Sequence, residues 1–172
     1  MAWSVLDERW DKLHVTVCGS LRTGDEPLVI YPDQVEALRT IGPISVELRG
    51  LFLGNVNRGR IYLRAYPEKR DGRNLFHCVQ EILGCRRTDL YVVGLHNLQD
   101  HLDPAETRDL AGFIEQWWDR TILRFTADRL WLLASTDDLV LDSRVEQIIT
   151  LLRTEKPPDI QSETFRSKVP RA

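Results

Sequence analysis

The sequence predicts an α+β fold, and three observations carry that prediction. Short β-branched runs of period two alternate with stretches of helical period. Turn-type residues join successive strands into hairpins, which makes the pairing antiparallel. The order strand, helix, strand, hairpin, strand occurs twice, with one helix between the copies.

A chain of 172 residues suits a single domain. Apolar residues at 42 % and charged residues at 28 % describe a globular chain and argue against disorder. No apolar run reaches the roughly 18 residues that cross a bilayer, so no membrane span is expected. The start, Met1-Ala2-Trp3-Ser4-Val5-Leu6-Asp7, lacks the apolar core of a signal peptide. A formal charge of −3 argues against duplex DNA as a partner, whereas a nucleotide or short RNA needs only a local basic patch. Cys18, Cys78 and Cys85 are odd in number and have no CxxC spacing. They argue against a disulfide framework or zinc site and read as small buried thiols of a reducing, cytoplasmic protein.

Residues 13–18 alternate, with Leu13, Val15 and Val17 on one face of an expected strand and His14, Thr16 and Cys18 on the other. Pro32 opens a short helix carrying Val35, Leu38 and Ile41, which Gly42-Pro43 stops. Residues 44–53 and 60–66 form a hairpin. Asn74 caps a helix with Leu75, Phe76, Val79, Ile82 and Leu83 on its apolar face, and Gly84 ends it. Residues 90–98 read as a strand buried on both faces. Asp103-Pro104-Ala105-Glu106 is a helix start, followed by a stripe of Leu110, Phe113, Ile114, Trp117 and Trp118. Strands over 121–125, 129–134 and 145–152 complete the second copy. The Pro-, Lys- and Ser-containing tail, 153–172, is expected on the surface.

His14 and Thr16 sit two residues apart on one strand face, a spacing that aims an imidazole and a hydroxyl at one atom. Histidine gives or takes a proton near neutrality, and threonine donates to a phosphoryl oxygen. His96 lies in the strand matching that of His14. Arg49 follows His14 by 35 positions and Arg129 follows His96 by 33. Related by a pseudo-twofold axis, the two imidazoles would face one groove and serve as base and acid in turn. His77 reads as structural or solvated, and Trp117 and Trp118 as helix packing. His101, just before the helix cap, reads as a surface residue that only a strand shift would bring into play. Asp137 and Asp138 read as turn residues. Arg58, Arg60, Arg64, Lys69, Arg70 and Arg73 read as a solvated face, or alternatively as a phosphate-steering rim. No P-loop, GxGxxG, GxSxG or metal-spaced cluster is present.

On these residues the chain resembles the 2H phosphoesterases, which include 2'-5' RNA ligases and cyclic nucleotide phosphodiesterases. The likeness runs from about 13 to 152. It is carried by Leu13-His14-Val15-Thr16-Val17, by Glu47-Leu48-Arg49-Gly50-Leu51-Phe52, and by the strand from Phe125 to Ser135. It implies two pseudo-symmetric αβ lobes with antiparallel sheets around a central groove, lobe one about 11–70, lobe two about 88–152, and an interlobe helix about 74–84. It implies metal-independent catalysis without a cofactor on a 2',3'-cyclic or 2'-5' linked phosphodiester. His14 and His96 would be the acid/base pair, and Thr16 would hold a phosphoryl oxygen. The second motif departs from the pattern. It reads His96-Asn97-Leu98, with leucine at the hydroxyl position. A catalytically impaired nucleotide-binding or protein-interaction module on the same fold is the alternative.

Overall fold

The computed structural model describes residues 12–19, 21, 29–54, 59–98, 102–136, 140 and 142–152. In chain order its elements are α1 (Pro32–Thr40), β1 (Ile44–Leu53), β2 (Arg60–Pro67), β3 (Lys69–Arg70), β4 (Arg73–Asn74), α2 (Leu75–Ile82), β5 (Tyr91–Asn97), α3 (Pro104–Trp117), β6 (Thr121–Ala127), β7 (Arg129–Ser135) and β8 (Ser143–Thr150). The fold is therefore α+β with antiparallel sheets.

Alternation builds the main sheet. In β1, Ile44, Val46 and Leu48 are buried and Ser45 is exposed between them. Ile61, Leu63 and Ala65 of β2 bury the matching face. β5 pairs with β2 and β6 with β1, giving the order β5-β2-β1-β6 with every pair antiparallel. Strands from both halves of the sequence thus share one sheet. Among the described residues β7 and β8 pair only with each other, but Ile149 and Leu151 at the end of that hairpin enter the core. Leu152 N–H then donates to the Arg39 carbonyl at 2.9 Å, tying the hairpin to α1.

The helices start where their caps place them. Asn74 accepts from Phe76 N–H at 2.9 Å at the head of α2. Asp103 accepts from Ala105 and Glu106 N–H at 2.7 and 2.8 Å, and Glu106 reaches back to Asp103 N–H, closing a capping box on α3. Arg70 fastens the end of α1 by donating to the Ile41 and Pro43 carbonyls, and it also pairs with Glu68.

Three sequence expectations change. Residues 13–18 do not form a strand. The His14 ring bonds the Lys12 carbonyl and the Gln80 side chain bonds the Val17 carbonyl, so local and side-chain partners take groups that a ladder would use. β5 is an edge strand, with Tyr91 and Val93 buried and their neighbours only half-buried. On α3, Leu110 and Ile114 are buried, but Phe113 and Trp118 are 52 % and 64 % exposed, because they flank the buried stripe and the helix ends at Trp117.

Gly50 sets how α3 meets the sheet. It lies at φ +81°, at a register shift in β1, and a Cβ there would sit 2.4 Å from the Trp118 carbonyl oxygen. Its N–H donates to the Arg120 carbonyl at 3.2 Å. Gly50→Ala should cost about 3 kcal/mol, from left-handed strain plus a backbone clash. It should be read as a lower urea midpoint with unchanged slope. Gly112→Ala, in α3 with open space around it, should instead add about 0.5–1 kcal/mol.

Glu68 gives the fold an acid-sensitive tie. Burial pushes its carboxyl up, but hydrogen bonds from Ser45 N–H and Arg70 outweigh that and hold it below its ordinary 4.5. A lowered folded value contributes stability above the ordinary range and loses it as pH falls through that lowered value. Glu68→Gln should therefore lower stability at neutral pH and flatten the acid limb of a pH–stability curve below about pH 4.5.

Candidate functional site

A cavity of about 430 Å³ lies between the helix-covered face of the main sheet and α3. That volume is in the range of small-molecule sites. Leu51, Ile61 and Leu63 line it from the sheet, Phe113 and Trp117 from α3, and His96 from β5. Among the described residues His96 is the only titratable side chain lining it.

A β-bulge puts His96 there. Tyr62 pairs with Gly94 and Ile61 with His96, so Leu95 is an extra residue in β5. Regular alternation from the buried Val93 would turn His96 to the opposite face. The extra residue shifts the phase by one, and His96 joins Ile61 and Leu63 on the inner face. Asn97 is then on the outer face, where its Oδ1 accepts from Arg60 Nε at 2.9 Å. Leu98 donates its N–H to the Gly59 carbonyl at 2.7 Å and packs against the core, so the position expected to carry a hydroxyl is apolar and engaged in packing.

His14 is half-buried and Thr16 exposed, and neither lines the cavity. His14 Nδ1 lies 2.7 Å from the Lys12 carbonyl. A carbonyl only accepts, so Nδ1–H donates and Nε2 is the nitrogen left for chemistry.

Gln80 holds this segment, and sequence reasoning passed over it. Fully buried, it donates from Nε2 to the Val17 carbonyl at 2.7 Å. Its Oε1 accepts from Thr88 N–H at 3.3 Å and from Tyr91 Oη–H at 3.4 Å. The available signal was its place four residues after Phe76 on the apolar face of α2. Burial, reinforced by the Asp89 charge, pushes the Tyr91 phenol up to about 12. His77, expected to be structural or solvated, is buried; its Nδ1 accepts from Arg87 at 2.7 Å and Nε2 donates to Asp89 at 2.8 Å. Cys18 is pushed up by burial and by hydrogen bonding with Cys85, and the three cysteines are free and half-buried.

The described arginines of the basic stretch are divided among different partners. Arg70 pairs with Glu68 and Arg73 with Glu81, while Arg60 and Arg64 belong to the outer face of the sheet. Arg58, His101, Asp137 and Asp138 lie outside the described residues. Among the described residues no His, Cys, Asp and Glu group could hold a metal ion, and no helix is long and apolar enough to cross a membrane.

No protein-family model matches the chain, and no curated protein matches it.

The arrangement offers an apolar chamber with one proton donor or acceptor on its wall. Gln80→Leu should leave Val17 O and Thr88 N–H without their partner and cost about 2 kcal/mol. It should also speed proteolytic cleavage within residues 12–19 without altering cleavage elsewhere.

Proposed function

We propose that the chain is a metal-independent phosphodiesterase of the two-histidine type. Its substrate is a 2',3'-cyclic or 2'-5' linked nucleotide or short RNA. In this account two pseudo-symmetric αβ lobes flank a groove, with His14 contributed by one and His96 by the other. One imidazole takes a proton from the attacking water as it adds to phosphorus. The other gives a proton to the departing ribose oxygen, so a 2',3'-cyclic phosphate opens to a phosphomonoester. Thr16 donates to a non-bridging oxygen as charge builds there.

The observation that carries this function is the bulge at Leu95, which turns His96 onto a cavity of a size that accepts a base or ribose. His14 adds support, since its Lys12 contact leaves Nε2 as the reactive nitrogen. Leu98 favours a second function, a nucleotide-binding or protein-interaction module without catalysis. A missing preformed donor costs about 10²–10³ in rate.

Turnover of 2',3'-cyclic nucleotides and of 2'-5' and 3'-5' linked oligoadenylates in EDTA tests the first function. Activity should persist in the chelator and fall at least about 10²-fold in both His14→Ala and His96→Ala. Binding without turnover would support the module. Turnover unchanged in either variant would contradict the two-histidine mechanism.

A further inference from the structure

The outer face of the main sheet, on the side away from the cavity, carries rings and guanidiniums in a regular array. Along β2, Tyr62, Arg64 and Tyr66 point to this face, two residues apart. Tyr62 stacks on Phe52 of β1, with ring centroids 5.5 Å apart and planes 27° off parallel. Two neighbouring cations lie over the Tyr66 ring, Arg49 at 4.4 Å and Arg64 at 5.0 Å from its centroid. Arg60, bonded to Asn97, continues the row toward β5, and Arg124 of β6 faces Glu47 at 3.3 Å.

Among the described residues, four guanidiniums therefore meet two carboxylates here, Glu47 and Asp119, on a chain whose overall charge is −3. One pair is loosely made: Arg49 Nε is 3.2 Å from Asp119, but it lacks an aligned acceptor. The local excess of positive charge runs against the sign of the whole molecule, and it coincides with flat π surfaces. Neither feature serves the core, since the buried side chains are on the opposite face.

We propose that this face binds single-stranded RNA, with bases stacking on the Tyr62–Phe52 rings and on the Arg64–Tyr66 pair, and phosphates meeting the guanidiniums. The spacing suits such a ligand. Tyr62, Arg64 and Tyr66 follow one another at steps of about 6.8 Å, which leaves the two rings about 13.6 Å apart, and each step is roughly twice the rise of a stacked nucleic-acid strand. An unstacked strand stretches to that repeat, whereas a duplex keeps its bases inside. Aromatic rings and guanidinium planes accept any base, so binding is tolerant of sequence. The site is separate from the His96 cavity, and it stands or falls independently of the proposed catalysis.

Fluorescence anisotropy of labelled octauridylate and octaadenylate, with the full chain and across a salt series, tests it. Both single strands should bind, and affinity should fall with rising salt by a log–log slope of about −0.7 for each phosphate contacted. Tyr62→Ala should weaken binding by about five- to a hundredfold with the slope kept, because it removes stacking and no charge. Arg64→Glu, at an exposed position that leaves the fold intact, should weaken it and flatten the slope. Urea midpoints of both variants verify folding. Equal affinity for the matching duplex would overturn the proposal. So would affinity unchanged in Arg64→Glu, or saturable binding of an acidic peptide without any of RNA.

Discussion

A missing side chain governs how this molecule is layered. At Gly50 the sheet and the end of α3 approach so closely that the Trp118 carbonyl occupies the space of a Cβ. The left-handed backbone there coincides with the slip in the β1–β2 register, and Gly50 N–H bonds the chain just beyond the helix at Arg120. α3 is held to the sheet by this contact at its C-terminal end and by the burial of Leu110 and Ile114 along its length, while the Asp103 capping box fixes where the helix begins. Trp117 then lies over Leu51, Ile61 and Leu63, and the space left beneath is the cavity. Arg120, 5.7 Å from the Trp117 ring centroid, adds a cation–π contact at the same corner.

A second anchor works through polar groups. Gln80 and His77 are the buried polar residues of α2, and both are bonded. An unpartnered amide at Gln80 would be costly, so the segment around Val17, the turn at Thr88 and the Tyr91 hydroxyl are held to one arrangement. In this way α2, between the two halves of the sequence, sets the position of the backbone that bears His14.

Much of the scaffold was legible because its signals are local. Asn74, Asp103 with Glu106, Pro32 and Gly84 mark helix ends by hydrogen-bond chemistry that needs no tertiary partner. Alternation gave the β1–β2 hairpin for a similar reason. The site was less legible, since it depends on departures from regularity. Nothing in Val93-Gly94-Leu95-His96 announces a bulge, because the extra residue exists only relative to the register of β2. Residues 13–18 have a strand's alternation but lack a strand's partners, and Gln80 decides that from more than sixty positions away in sequence. The edge position of β5 was hidden because an apolar run looks the same at an edge as in a centre.

The two faces of one sheet thus carry different chemistry: an apolar chamber with an imidazole on one side, rings and guanidiniums on the other. The central functional claim is that His14 and His96 serve a single phosphate. Proton NMR of the imidazole signals, assigned with His→Gln variants, tests it directly during titration with adenosine 2'-monophosphate. The account predicts that the His14 and His96 signals move together and saturate at one ligand concentration, while those of His77 stay in place. Movement of one signal without the other would contradict it.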